Sequence, residues 1–300
     1  MPSCAVVVPV YRPLTDPAEI LSLEQTLDIL ADYPVYLVGP VSLQNYFNQL
    51  RLDTNSRLQQ ILFADHYFAS IDGYNDLLLS RKFYQAFASF QHILIVQTDA
   101  LVLSDKLDYW CAKGYSYVGA PWFNGFTKPT LPLTLNSVGN GGFSLRRVPD
   151  FLKVLSRPRI FKNVLMQSWP GSIASNTYRY LKDYHSFVYN DTHINIDVNE
   201  DLFWGLFVPA QCNFFRVPQP AEALAFAFEA HPDFLYELND RALPFGCHAW
   251  QRYMPEWWGK VFEATDPTFA SRLRLVSEAP PTLASLSLAS ANGSVQHAPK

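Results

Sequence analysis

Four short segments of the chain combine acids, glycines or an imidazole in settings where such groups do chemistry. Gln97-Thr98-Asp99 ends the apolar run Ile93 to Val96. An acid beyond the carboxyl end of a parallel strand is placed to hold a divalent cation against a diphosphate, although the same acid also serves to cap a turn. In Val138 to Arg146, sequence VGNGGFSLR, glycines and an asparagine permit positive φ and close approach of backbone to a ligand. Backbone amides there suit a sugar or a phosphate, and a tight turn before a strand uses the same residues. No GK[ST] follows, and the spacing is not GxGxxG, which excludes a Walker loop and a dinucleotide fingerprint.

The other two segments lie late in the chain. Asn199-Glu200-Asp201 precedes Leu202-Phe203-Trp204-Gly205. Asn199 is a good N-cap, and acids in a first helical turn are favoured by the macrodipole; alternatively, a carboxylate among apolar neighbours acquires the raised pKa of a general base. Pro244 to Trp250, sequence PFGCHAW, offers His248 as a metal ligand, a proton shuttle or a core imidazole. Cys247 and His248 do not make a nucleophile pair, because adjacent side chains rarely face each other.

The elements that must position these residues alternate in type. Cys4 to Val10 is a continuous apolar run, the mark of a strand covered on both faces. Asp16, Pro17 and Glu19 supply an N-cap, a first-turn proline and a capping-box acid for a helix with Ile20, Leu23, Leu27 and Leu30 at helical spacing. Val35 to Val38 predicts a second strand, Ser42 to Leu50 a helix, and Ile61 to Phe63 a third strand leading to Asp65. One helix is predicted from about Tyr74 to Phe90, then a fourth strand over Ile93 to Gln97. This repetition predicts an α/β fold with a mostly parallel central sheet flanked by helices. Beyond Asp99 the pattern becomes mixed: a short helix at Leu107 to Lys113, a strand at Tyr115 to Gly119, about twenty loop-like residues rich in Pro, Asn and Gly, and a strand at Gly141 to Arg146. One domain over residues 1–278 is expected, followed by a disordered tail at 279–300 that has too little apolar surface to offset the entropy of ordering.

Composition narrows the function classes. Of 300 residues, 49% are hydrophobic and 17% charged, and 27 acids against 23 lysines and arginines give a net charge of −4, so no general attraction to a nucleic-acid backbone is expected. No apolar stretch approaches the length of a spanning helix. The first residues, MPSCAVVVPVYRP, lack a basic leader, so a cytoplasmic location is expected. The four cysteines are far apart and without a CxxC pair, and they read as reduced, mostly buried thiols.

The order of the motifs carries more than any one of them. YRP after the first strand, then QTDAL, GYSYVGAPW, GNGGFSLRR, NEDLFWG and PFGCHAW resemble a family of glycosyltransferases with the GT-A fold, which has a Rossmann-like sheet, over roughly Val6 to Trp258. The glycine-rich GGFS, then an ED pair, then a histidine, is also similar to the catalytic half of inverting beta-galactosyltransferases. The resemblance implies a sugar transferred from a nucleoside diphosphate sugar, foremost a UDP-sugar, to a hydroxyl of a carbohydrate or related acceptor. Asp99 matches the second acid of the DxD motif that holds Mn2+ or Mg2+ on the diphosphate, while Gln97 stands where the first acid usually is. Gly141 and Gly142 match the loop against the donor sugar. Asp201 matches the acid that deprotonates the acceptor, with Glu200 beside it orienting that acceptor, and His248 matches the late histidine of the metal shell. Val10, Tyr11 and Arg12 would sit by base and ribose, Asp65 by the base, Thr98 within the DxD-like segment, and Arg81 or Lys82 by the leaving charge. With one carboxylate missing at Gln97, a noncatalytic carbohydrate- or nucleotide-binding protein on the same fold is the alternative. A nucleotidyltransferase normally shows a glycine-rich basic loop after its first strand, and Val10-Tyr11-Arg12-Pro13 is not one.

Overall fold

The computed structural model describes residues 4–54, 58–126, 128–156 and 199–278. The expected tail at 279–300 lies outside them. The chain begins with strand β1 (Cys4–Pro9), helix α1 (Pro17–Ile29), β2 (Val35–Pro40), α2 (Gln44–Asp53) and β3 (Leu58–Phe63). Helices α3 (Ile71–Leu78) and α4 (Arg81–Gln85) then lead to β4 (His92–Val96). Asp16 caps α1 as its sequence predicts, accepting from the Ala18 amide at 2.8 Å with Pro17 in the first turn. The single helix expected over Tyr74 to Phe90 is two. Ser80 breaks it: its hydroxyl donates to the Leu77 carbonyl at 2.7 Å, closing α3, and accepts from the Phe83 amide at 3.2 Å, opening α4. A serine that bonds its own backbone in this way competes with helix propagation.

Strands β1 to β4 are parallel, in the order β3-β2-β1-β4. Their alternation divides the apolar residues between two faces. Cys4, Val6 and Val8 pack with Leu23 and Leu27 of α1, Leu30 just after it, Phe47 of α2 and Leu94 and Val96 of β4. Ala5 and Val7 pack with Leu77, Phe83, Tyr84 and Ile93 on the other face. Because both faces are covered, these strands read as continuous apolar runs.

After β4 come β5 (Leu101–Val102), α5 (Leu107–Ala112), β6 (Tyr117–Val118), β7 (Ala120–Phe123), β8 (Leu135–Gly139), β9 (Phe143–Arg147) and α6 (Val148–Leu155). Strand β9 joins the sheet antiparallel to both β4 and β6, so the complete order is β3-β2-β1-β4-β9-β6. The segment that reads as loop contains an antiparallel hairpin, β7 with β8, in which Ala120 pairs with Gly139 and Pro121 with Val138. Its proline and glycine content conceals strands that pair outside the main sheet. Farther on, β10 (Ala227–Phe228) pairs with β11 (Gly246–Cys247), which also pairs with β5. A third core around Trp258, Phe228 and Phe262 lies beside this small sheet.

The deepest charge in the core is Arg146 of β9, with 0% of its side chain exposed. Its guanidinium donates to Glu200 through Nη1 at 2.9 Å and Nη2 at 2.8 Å, to the Tyr84 hydroxyl at 3.0 Å and, through Nε, to the Ser144 hydroxyl at 3.1 Å. The rings of Tyr117 and Phe151 lie against it. Removing one partner strands a buried charge. Arg146→Ala is therefore expected to lose about 3–5 kcal/mol in a urea titration, and Arg146→Met combined with Glu200→Leu to recover most of that loss. Additive losses in the double variant would show that the pair itself contributes little.

Candidate active site

The chain builds β1, β2 and β3 outward in one direction and then crosses to place β4 on the other side of β1. The loops leaving β1 and β4 therefore diverge, and open a crevice at the carboxyl ends of the strands where ligands bind in such sheets. Val10 to Arg12 leave β1 there, and Gln97 to Asp99 leave β4. Val10 is buried, while Tyr11 is 58% exposed. Arg12 Nη2 meets Glu19 Oε1 at 3.0 Å, and the same oxygen accepts from the Thr98 hydroxyl at 3.2 Å. Glu19, expected to complete a capping box, instead ties α1 to both loops.

Asp65 follows β3 and accepts from the Ser42 amide at 3.2 Å. It is exposed at the same edge of the sheet. Arg81 opens α4, and its Nε is buried without a hydrogen-bond partner among the described residues.

Around Asp99 the structure gathers residues from distant parts of the chain. His248 Nε2 lies 3.3 Å from Asp99 Oδ1 and 3.3 Å from Gln97 Oε1, while Nδ1 lies 2.9 Å from Glu229 Oε1. The β10–β11 pairing, which sets Phe228 opposite Cys247, brings Glu229 and His248 side by side. Burial opposes a charge on His248, but its hydrogen bonds to Asp99 and Glu229 outweigh that and push its pKa up to about 10. Asp99 is held below its usual range: burial works against its charge, and the His248 contact prevails.

The turn between β8 and β9 presses against this group. Asn140 adopts φ 132°. Its Oδ1 accepts from the amides of Gly142 at 2.7 Å and Phe143 at 3.0 Å, and its Nδ2 lies 3.1 Å from His248 Nδ1. The strained residue is thus the asparagine, which tolerates such a conformation, and not either glycine after it. Gly141 and Gly142 are needed for space. A methyl group on Gly142 would overlap the His248 ring, and one on Gly141 would stand 2.7 Å from Glu200 Oε1 and 4.0 Å from Asp201 Cβ. Two consecutive glycines therefore separate the imidazole from the acid pair by one turn of backbone.

The acid pair differs from its sequence-based expectation. Asn199 does not cap the following helix with its own side chain. Asn75 of α3 does so from outside: its Oδ1 accepts from the Glu200 amide at 3.1 Å, and its Nδ2 donates to Asn199 Oδ1 at 3.3 Å. Glu200 is 2% exposed with both oxygens on Arg146, so its carboxylate is turned into the core and is not free to orient an acceptor. Asp201 keeps a freer carboxylate, with Oδ1 accepting from the Leu202 amide at 2.8 Å. Burial, followed by the negative charge of Glu200, pushes its pKa up to about 7. The helix then widens into a π turn over Phe203–Phe207, a departure common at functional sites.

Several site residues carry no signal in the sequence. Glu229 stands alone in it, and Tyr74 reads as an ordinary helix aromatic. The Tyr74 hydroxyl is buried beside the Gln97 side chain, and burial raises its pKa amid the charges of Arg146, Glu200 and Asp99. Arg146 is visible in GNGGFSLRR only as a strand residue. Asn140, between two glycines, is the one member whose setting marks it for an unusual turn.

Gln97 Oε1, Asp99 Oδ1 and His248 Nε2 face one another: the two oxygens are of the type that holds Mn2+ or Mg2+, and the imidazole joins them as a ligand only by giving up its Nε2 proton. Glu229 on Nδ1 stands where an outer carboxylate orients a metal-binding histidine. Among the described residues, no cluster of three His, Cys, Asp or Glu forms a metal site, so a cation here needs the Gln97 carbonyl and ligand oxygens.

The raised His248 pKa has a stability consequence. A histidine shifted from 6.5 to about 10 contributes stability that is complete below pH 6.5 and lost as pH rises through 10. With a chelator present, the melting temperature of the protein is expected to fall toward that of His248→Gln between pH 7 and 10. A gap that stays constant over that range would contradict a charged imidazole.

No helix among the described residues is long and apolar enough to cross a membrane. No curated protein matches the chain. Solved structures similar to it include glycosyltransferases. The galactosyltransferase LgtC, in complex with donor and acceptor sugar analogs, is 11% identical, with 89% of this chain and 95% of that chain covered and a TM-score of 0.49. Mouse xyloside xylosyltransferase 1 is 10% identical, with 81% and 96% covered and a TM-score of 0.47. GlyE of Streptococcus pneumoniae is 14% identical, with 94% and 66% covered and a TM-score of 0.44. The family described as "Protein of unknown function (DUF5672)" matches residues 57–248, a span that contains Asp99, Gly141, Gly142 and Asp201 and ends on His248. With more than half of its length matched, the chain belongs to the DUF5672 family.

Proposed function

We propose that the protein is a glycosyltransferase that moves a sugar from a nucleoside diphosphate sugar, foremost a UDP-sugar, to a hydroxyl of a carbohydrate or related acceptor. The observation that carries this reading is the position of Gly141-Gly142 between His248 and Asp201: the residues read here as a diphosphate-type donor site and as the base lie one backbone turn apart. Val10, Tyr11 and Arg12 border the nucleoside end of the crevice, with Asp65 farther along the same edge. The orphaned Nε of Arg81 is a donor awaiting an acceptor, as a sugar or phosphate oxygen would supply.

Displacing a nucleoside diphosphate requires its negative charge to be neutralised and the incoming hydroxyl to lose its proton. Gln97, Asp99 and His248 would hold Mn2+ or Mg2+, which when bound stabilises the departing diphosphate. Glu229, accepting from Nδ1, holds the imidazole so that Nε2 faces Asp99 and Gln97. Asp201, with a pKa near 7, is half ionised at neutral pH and strong enough as a base to take the acceptor proton. Glu200 serves indirectly: its charge raises Asp201, and Arg146 keeps it in place. Attack by a hydroxyl deprotonated directly by Asp201 inverts the anomeric centre. The noncatalytic alternative draws on Gln97, which leaves Asp99 as the single carboxylate of the cation site.

Two measurements test this. In a panel of UDP-, GDP- and dTDP-sugars with and without Mn2+, one donor is expected to raise the melting temperature and release its nucleoside diphosphate; binding without release favours the noncatalytic reading. Asp201→Asn is expected to cut turnover by about 10²–10⁴-fold while donor stabilisation persists, and Asp99→Ala to weaken donor binding. For the wild type, kcat/KM should rise with pH through about 7, because Asp201 is protonated and idle below it. Unchanged activity in Asp201→Asn would leave that residue a helix-start acid.

A further inference from the structure

A second reactive cluster stands at the opposite, amino-terminal edge of the sheet. Cys4 opens β1 and His92 opens β4, and the two are register partners in adjacent parallel strands. Their side chains therefore share the face that carries the cluster of Cys4, Val6 and Val8, and Cys111 of α5 packs against that cluster. The Cys111 thiol bonds to Cys4 and to His92. Exposure separates the two cysteines: Cys4 is 0% exposed, whereas Cys111 is partly open. His92 is 6% exposed, and among the described residues its ring nitrogens have no hydrogen-bonding partner besides the Cys111 thiol. A buried imidazole left in this state beside two thiols is a ready proton acceptor.

The charges around the pair are few. Cys4 and His92 face Cys111 from the sheet, Asp108 from its own helix, and Tyr33 from the turn before β2. The hydrogen bond from Cys4 lowers the Cys111 pKa to about 6, with His92 adding to it, against burial and the Asp108 charge. Burial, then the Cys111 contact, raises Cys4. One sulfur is thereby a donor and its neighbour a thiolate.

We propose that Cys111 is a peroxide-reactive nucleophile and that Cys4 resolves the product as a disulfide. The Cys111 thiolate attacks one oxygen of a hydroperoxide: an S–O bond forms, the O–O bond breaks, and the departing oxygen takes a proton from solvent. Cys4 then gives its proton to His92 and attacks the Cys111 sulfur. The S–S bond forms, the S–O bond breaks, and the hydroxide leaves as water with the proton from His92. The two thiols lose two electrons and the peroxide gains them. This site is about a strand length from the donor crevice and is independent of the proposed transfer reaction.

Cys247 is the internal control, since it is fully buried and burial pushes its thiol pKa up. The full-length protein is treated with equimolar hydrogen peroxide, alkylated after denaturation and mapped by peptide mass. A Cys4–Cys111 disulfide is expected in the wild type. In Cys4→Ser, the Cys111 sulfenic acid should be captured by dimedone. Alkylation of the native wild type by iodoacetamide should be about tenfold faster at Cys111 than at Cys247 at pH 7, with a midpoint near pH 6 that rises in His92→Asn. The wild-type rate comparison stands even where a variant fails to fold. Equal rates at the two cysteines, or peroxide treatment that leaves Cys4 and Cys111 both reduced, would overturn the proposal.

Discussion

A guanidinium enclosed by protein has five N–H donors and no water to satisfy them, and in this fold that requirement falls on Arg146. Glu200 accepts two of the four hydrogen bonds that Arg146 donates, and the exchange fixes more than one residue. Because Glu200 begins the helix that Asn75 caps from α3, its ion pair locks the first turn of that helix onto β9. Asp201, the next residue, is thereby held at the Gly141 edge of the crevice. Burial does most to raise the Asp201 pKa; Glu200 adds to it, and the Arg146 charge, largely spent on Glu200, lowers it only weakly. The contact that stabilises the core thus also adjusts the largely buried carboxylate beside it.

The imidazole on the other side of the glycines obeys a related constraint. His248 is caught between two carboxylates on opposite ring edges, and its backbone is fixed by pairing with Phe228. Such a ring has little freedom to rotate. Gly142 must remain without a side chain for it to fit, and the Gln97 amide bonded to the Gly142 carbonyl at 2.8 Å keeps the loop against β4. Rigid strand ends, not flexible loops, carry the geometry.

Much of this was legible in the order of residues. The apolar runs announced the parallel strands, and Asp16-Pro17 announced α1, because both signals are local. The acids and the histidine were visible by type. What sequence could not supply was the direction of each side chain. Glu200 and Asp201 are adjacent and alike, yet one is buried on Arg146 and the other is left toward the crevice, and only the packing of α3 and β9 against them distinguishes the two. Glu19 matched a capping box but is drawn away by Arg12 and Thr98, a tertiary pull stronger than the local motif. Glu229 gave no signal, since its partner arrives through a strand pairing across many residues.

On the proposed reading, the glutamine at position 97, where the resembled motif carries an acid, is to be weighed together with Glu229. Two carboxylates still surround the imidazole, but only Asp99 stands on the side of Nε2; Glu229 is on Nδ1. A cation at Nε2 would therefore feel Asp99 directly, Gln97 through its amide dipole, and Glu229 only through the ring it orients. Its direct protein charge is one carboxylate, and the remaining charge must come from the phosphates of the ligand. Cation and diphosphate would then each complete the other's site, so that binding of the two is coupled by electrostatics in place of a preformed acid cluster.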